Sequence, residues 1–251
     1  MLPAPLGRPG AAPAGISAAT FSAPAVMGLH RIGNVVVPCM PRRPMNSGNH
    51  SFRAAADALA TDGWCLLTDL LESAKTLALA AECTAMHDAK LLLPAGTGTG
   101  RINPAVRGDS THWFAEGAMS APQQAFADRI DALRRVLNRE LMLGLVDCES
   151  HYAVYRPGAG YARHLDRHRH SDARVVSAVF YLNRDWRETD GGALRLYLPD
   201  GSARDILPEA GKLLLFLSAR FEHEVLPATR DRMSVACWMR QRSVTGTPSW
   251  G

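Results

Sequence analysis

Residues 173–182 read ARVVSAVFYL, a run of β-branched and aromatic residues with no charge after Arg174. Such residues suit a pleated, half-buried strand. Side chains two apart share a face of a strand, so Val175, Ser177, Val179 and Tyr181 line one side of it. Short runs of the same texture fill the chain after Asp147: SHYAVYR (150–156), GALRLYL (192–198), ARDILP (203–208), KLLLFL (212–217), HEVLPA (223–228) and RMSVACWMR (232–240). The turn formers PGAG, TDGG, PDG and PEAG stand between them. Many short strands punctuated in this way read as a β-sandwich or barrel.

The texture upstream is helical. SFRAAADALATDGW (51–64) begins with a candidate N-cap, Ser51, and WCLLTDLL (64–71) reads as a short strand. A second helix is expected over 72–90, with Ala74, Leu77, Ala78 and Ala81 as its apolar face. A third is expected from about Pro122 to Leu143, burying Phe126, Ile130, Leu133, Leu137 and Leu141. Residues 91–112 show no period, and PAGTGTG (94–100) reads as a flexible loop. Helices followed by strands give an α+β class. Residues 51–251 are expected to form one domain, in which helices over about 51–145 cover a β-core over about 147–242.

Residues 1–50 hold Arg8, Arg31, Arg42 and Arg43 but no lysine and no acid. Rich in Pro, Ala, Gly and Ser, they read as a disordered tail, or as an over-long start ahead of Met45. A transit peptide is the alternative, but PAPLGRPGAAPAG would break the amphipathic helix it needs. Setting those four arginines aside leaves the rest of the 28 basic residues balanced against 24 acidic ones. A neutral domain of this kind argues against nucleic-acid binding. No apolar run reaches the roughly 18 residues that span a bilayer. Five scattered cysteines, never in a C-x-x-C pair, fit a reducing cytoplasm.

The chemistry gathers in HLDRHRH (164–170). On a strand His164 and Asp166 point to one face and can converge on one ion, with His223 as a distant third ligand. Two His and one carboxylate on one side of a metal form the facial arrangement of non-haem Fe(II) oxygenases. Nine residues after His223 comes Arg232, on the face of its strand shared with Ser234, Ala236 and Trp238. An inward arginine needs an anion, and a dicarboxylate cosubstrate would supply one, with the Tyr181 hydroxyl in reach. His168 and His170, set among Arg167, Arg169 and Asp172, read as a solvated loop. His151 reads as an ordinary strand histidine or one near a pocket mouth.

With those residues in hand, the sequence resembles the 2-oxoglutarate and Fe(II)-dependent dioxygenases, in particular the HIF-type (EGL-nine) prolyl 4-hydroxylases and their bacterial relatives. VRGDSTHWFAEG, YRPGAGYARHLD, FYLNRDW, GGALRLY and HEVLPATRDRMSVACW carry the resemblance, over about 100–242. It implies a double-stranded β-helix, or jelly roll, with supporting helices on one face. His164, Asp166 and His223 would bind Fe(II). Arg232 and Tyr181 would hold the distal carboxylate of 2-oxoglutarate, in a pocket lined by Tyr155, Leu194, Val225 and Trp238. Tyr161 and Arg174 match positions near the substrate proline. Asp109 matches a carboxylate expected to pair with Arg174, and Trp113 lies on a loop that covers substrate. Ala236 stands where the animal enzymes have a threonine, so their substrate choice and oxygen response do not carry over.

The implied activity is hydroxylation of a prolyl residue in a protein or peptide, consuming 2-oxoglutarate and O2, releasing succinate and CO2, and using ascorbate as reductant. Two rivals stand beside it. One is the same chemistry on free proline, another small molecule or an alkylated base. The other is a non-catalytic metal-binding β-helix, for which Arg232 and the complete ligand set would have no purpose.

Overall fold

The computed structural model describes residues 29–32, 35–38, 50–96, 102–166 and 173–242. The chain divides into two units, Met1–Arg43 and Pro44–Gly251. In the first, β1 (Leu29–Ile32) pairs antiparallel with β2 (Val35–Pro38). The tail reading of 1–50 missed this pair, because average composition hides the β-branched run Val35, Val36 and Val37. Elsewhere in 1–49 that reading lies outside the described residues. So do the loop from Thr97 to Arg101 and the surroundings of His168 and His170.

The second unit begins with α1 (His50–Thr61), β3 (Trp64–Leu67), α2 (Ser73–Asp88), β4 (Leu93–Pro94), β5 (Asp109–Trp113) and α3 (Ala121–Leu141). Strands β6 (Leu145–Tyr155), β7 (Tyr161–His164), β8 (Arg174–Tyr181), β9 (Leu194–Tyr197), β10 (Ala203–Ile206), β11 (Leu213–Leu217), β12 (His223–Val225) and β13 (Arg232–Gln241) follow. One sheet runs β3-β11-β8-β13-β6-β5-β4 and the other β10-β9-β12-β7. Every ladder in them is antiparallel. The two sheets meet across an interior where Ser177 of β8 bonds Asp166 and Phe216 of β11 packs on His223 of β12. The result is a double-stranded β-helix with helices on one face of the larger sheet.

Strand alternation sorts the side chains between two cores. Tyr152, Val154, Val176, Ala178, Phe180, Leu213, Leu215, Val235, Cys237 and Met239 pack with the helices. Tyr181, Leu214, Phe216 and Ala153, one position along, turn inward. Helix α3 matches its expected face, burying Phe126, Ile130, Leu133 and Leu137, and the Ser120 hydroxyl caps it by accepting from the Gln123 amide at 3.3 Å. Two details differ from expectation. Helix α1 already includes His50, so Ser51 lies inside its first turn. Helix α2 buries Thr76, Leu79 and Cys83, whereas Ala74, Leu77, Ala78 and Ala81 face outward. An alanine-rich helix is apolar all round, so its periodicity does not select a face. The aperiodic stretch 91–112 also contains the strands β4 and the start of β5, at the edge of the larger sheet.

Candidate active site

The register of β7 and β12 sets His164 directly opposite His223, with ring centroids 4.3 Å apart. Asp166 falls in a bend just past the end of β7 rather than on an extended strand. It still reaches both imidazoles: Oδ1 is 3.6 Å from His164 Nε2, and Oδ2 is 3.7 Å from His223 Nε2. One donor atom from each of the three residues lies within 4.8 Å of the others. His164 Nδ1 is 2.8 Å from the Ala162 carbonyl and His223 Nδ1 is 3.3 Å from the Phe221 carbonyl. A carbonyl only accepts, so each Nδ1 carries the proton and each Nε2 turns a lone pair toward the centre. Ser177 Oγ donates to Asp166 Oδ2 at 2.6 Å and meets Ser218 Oγ at 2.9 Å, which fixes the carboxylate.

Electrostatics favour the same state. Burial pushes the His223 imidazole down to about 4, so it is neutral at physiological pH. Burial alone would raise the Asp166 carboxyl, but His223, His164 and the Ser177 hydroxyl together hold it well below the usual carboxylate range. The neutral His223 imidazole, the His164 imidazole and one ionised carboxylate could hold a divalent cation such as Fe(II) from one side.

The other end of the interior is built for an anion. Arg232 is 1% exposed, its guanidinium 5.3 Å from the ring centroids of both Tyr155 and Tyr181. Its Nε donates to the Gly192 carbonyl at 2.8 Å and its Nη1 to Ser234 Oγ at 3.4 Å. Among the described residues, Arg232 Nη2 and Tyr181 Oη have no hydrogen-bond partner. Burial pushes the Tyr181 phenol up to about 12 despite the guanidinium beside it, so it stays a donor. Gly192 has φ +69°, and a Cβ there would fall 2.9 Å from Ala228 Cβ and 3.4 Å from Arg232 Cδ, so the TDGG turn requires glycine at this position. Leu194 and Val225, register partners on β9 and β12, are both buried beside this end.

At the mouth, Tyr161 stacks on His164 at 3.6 Å and the Arg107 guanidinium lies 5.0 Å over the same tyrosine. The expected pair of Asp109 with Arg174 does not form. Asp109 is held by Arg107 through Nε–Oδ1 at 2.7 Å and Nη2–Oδ2 at 3.0 Å. Arg174 instead pairs with Glu149 at 2.7 Å and lies 3.7 Å over the Trp238 ring. Register explains the difference. Asp109 stands opposite Tyr155 at one end of β6, whereas Arg174 stands opposite Arg240 at the far end of β13. Trp113, 49% exposed, packs on His151 at 4.6 Å and on Trp238 at 6.2 Å.

Three contributors carried no assigned role in the sequence, Arg107, Glu149 and Ser177, and His151 was read only as an ordinary strand histidine or one near a pocket mouth. The i, i+2 spacing of Arg107 and Asp109 in VRGD could have revealed their pairing. Ser177 was legible as a neighbour of Tyr181 on one strand face, but its contact with Asp166 crosses between sheets. His151 and Glu149 needed the register of β6 against β13.

A family model described as the 2OG-Fe(II) oxygenase superfamily matches residues 150–240. Human Egl nine homolog 1 is 42% identical over 85 residues, which are 32% of this chain and 20% of that protein. The chain thus spans about a fifth to a quarter of the Egl nine homolog 1 proteins it matches. Human prolyl hydroxylase EGLN3 is 30% identical over 183 residues, covering 67% of this chain and 71% of that protein. Among solved structures, a Pseudomonas putida prolyl-4-hydroxylase is 45% identical with a TM-score of 0.70, covering 76% of this chain and 99% of that one. A Trichoplax adhaerens prolyl hydroxylase, in complex with a hypoxia inducible factor oxygen degradation domain peptide fragment, is 26% identical with a TM-score of 0.71 over 77% and 90% of the respective chains. Sequence, fold and donor set agree, and the chain belongs to the 2OG-Fe(II) oxygenase superfamily.

Proposed function

We propose that this chain hydroxylates a prolyl residue in a protein or peptide, converting 2-oxoglutarate and O2 to succinate and CO2. The observation that carries the reading is one interior holding both a His164–Asp166–His223 donor set and a buried guanidinium with an open donor. Fe(II) held by that set would supply the activation of O2 and of the target C–H bond. Arg232 Nη2 and the Tyr181 hydroxyl each have an unused N–H or O–H donor, which suits a carboxylate that accepts from both. Tyr155, Leu194, Val225 and Trp238 wall the cosubstrate and exclude water. Tyr161, Arg174 and Trp113 border the entrance, and Asp109 acts there through Arg107.

A peptide substrate is favoured over free proline by the entrance itself, where Trp113 stands half exposed beside exposed Leu93 and Leu91. A free amino acid needs enclosing groups for its own amine and carboxylate. No helix of the described residues is long and apolar enough to cross a membrane. We place the enzyme in the reducing cytoplasm on its dispersed cysteines, with ascorbate as the reductant that preserves Fe(II). Succinate release measured against candidate proline-containing peptides and against free proline tests the reading. Release that rises with a peptide supports it, and release that rises only with free proline overturns it.

A further inference from the structure

Among the described residues, five buried side-chain polar atoms lack a hydrogen-bond partner, and four of them belong to the strands that bear the site: Arg232 Nη2, Tyr181 Oη, His151 Nε2 and Trp238 Nε1. The first two offer donors, the guanidinium N–H and the phenol O–H, and match a carboxylate. The second two differ in kind. His151 is 1% exposed, and its Nδ1 lies 3.0 Å from the Tyr152 carbonyl, which can only accept. Nδ1 therefore carries the proton and Nε2 presents a lone pair. Trp238 Nε1–H is a donor. The ring centroids lie 5.3 Å apart, one ring carrying an unpartnered acceptor and the other an unpartnered donor.

Register locates this pair. His151 stands opposite Trp113 on β5 and Ala236 on β13, on the face of β6 that carries Tyr155. The small side chains of Ala153, two residues along β6, and Ala236, opposite on β13, are its neighbours on this face. His151 shares its row with Trp113 and lies four residues along β6 from Tyr155, the register partner of Arg232. The ionised cosubstrate bears carboxylates and a ketone, all acceptors, and so cannot satisfy a neutral imidazole lone pair. Burying an acceptor without a partner destabilises the fold, and a ligand that donates to it recovers that loss on binding.

We infer that His151 is a specificity-determining residue of this chain, and that its Nε2 together with Trp238 Nε1–H takes an uncharged group that both donates and accepts, an amide of the substrate peptide. The inference rests on the peptidyl-proline reading above. Burial holds the His151 imidazole at about 4, so the lone pair is present throughout the neutral range. The acceptor comes from β6, next to the bare Ala236 of β13.

The test uses the full chain loaded with Mn(II), the proline-containing peptide identified by succinate release, and three forms: wild type, His151→Phe and His151→Gln. Quenching of tryptophan fluorescence reports binding of 2-oxoglutarate and then of the peptide, and the Fe(II) enzyme gives the peptide KM. His151→Phe keeps the ring contacts and removes the acceptor. It should raise the peptide Kd and KM about tenfold while the 2-oxoglutarate Kd stays within about twofold. His151→Gln retains an acceptor and should recover much of the loss. The inference is overturned if 2-oxoglutarate affinity falls with the peptide unchanged, which assigns His151 to the cosubstrate. It is equally overturned if only the melting temperature moves, which leaves a trapped water as its partner. A wild-type chain that neither binds nor turns over any peptide contradicts the parent reading instead.

Discussion

Arg107 and Asp109 grip each other through two hydrogen bonds, and the same guanidinium covers Tyr161, which stacks on His164. The segment ahead of the barrel is thereby linked to His164 of the candidate ligand set through three side chains. The Asp109 side chain is wholly covered and that of Arg107 is 16% exposed. Asp109→Ala should lower stability by on the order of 2 kcal/mol, the scale of a lost hydrogen bond to a charged group. It should raise the KM for peptide more than that for 2-oxoglutarate. Arg174→Ala should leave Asp109 paired and act through Glu149 and Trp238 instead. A double-mutant cycle giving strong coupling of Asp109 to Arg174, and none to Arg107, would contradict the assignment.

Ser177 tests how the carboxylate is held. Its hydroxyl is 2.6 Å from Asp166 Oδ2 and reaches nothing else of the ligand set. Removing a partner that orients a metal ligand commonly weakens metal binding by about 10–100-fold. Ser177→Ala should fall in that range in an equilibrium titration with Fe(II) or Mn(II), with the fold retained. Unchanged affinity would show that Asp166 needs no support from the larger sheet.

Arg232→Ala removes a buried cation whose proposed partner is the cosubstrate carboxylate. Breaking such a buried pair costs on the order of 3–5 kcal/mol, so the KM for 2-oxoglutarate should rise by at least about a hundredfold while metal affinity holds. Tyr181→Phe loses one hydroxyl and should cost less. Parallel loss of metal binding in Arg232→Ala would indicate collapse of the site rather than loss of an anchor.

Much of this arrangement was legible in the sequence, and the residues show why. His164, Asp166 and His223 were legible by residue type and spacing, but Asp166 reaches the group from a bend past β7 and His223 through the β7–β12 register, neither of which is written in consecutive residues. The buried face of α3 was readable, since polar residues mark its other side. The Asp109–Arg174 pair failed because it depended on which ends of β6 and β13 the two residues occupy, a matter of long-range register. The face of α2 failed because alanine gives no contrast, and the β1–β2 pair because a few valines were lost in the average of a Pro- and Ala-rich stretch.

His151 predicts a pH dependence of stability. Its folded-state value of about 4 lies below the ordinary 6.5 because burial disfavours the charged ring. The unfolded chain therefore takes up a proton first as pH falls. Stability contributed by the neutral ring is fully present above about 6.5 and is lost progressively down to about 4, by on the order of 3 kcal/mol in all. Melting temperatures at pH 7.5 and pH 5 should differ more in wild type than in His151→Phe. Equal differences would show that His151 does not titrate as a buried group.

Hydroxylation of a prolyl residue in this interior leaves a mass signature on the substrate. Mass spectrometry of a proline-containing protein incubated with Fe(II), 2-oxoglutarate and the full chain tests it most directly. The expected result is a gain of about 16 Da, one oxygen atom, that fragmentation assigns to a proline. The gain should require 2-oxoglutarate and vanish with His223→Ala, which removes one of three ligands and leaves too few donors for the metal. An oxygen on another residue type, or a gain that persists in His223→Ala, would contradict it.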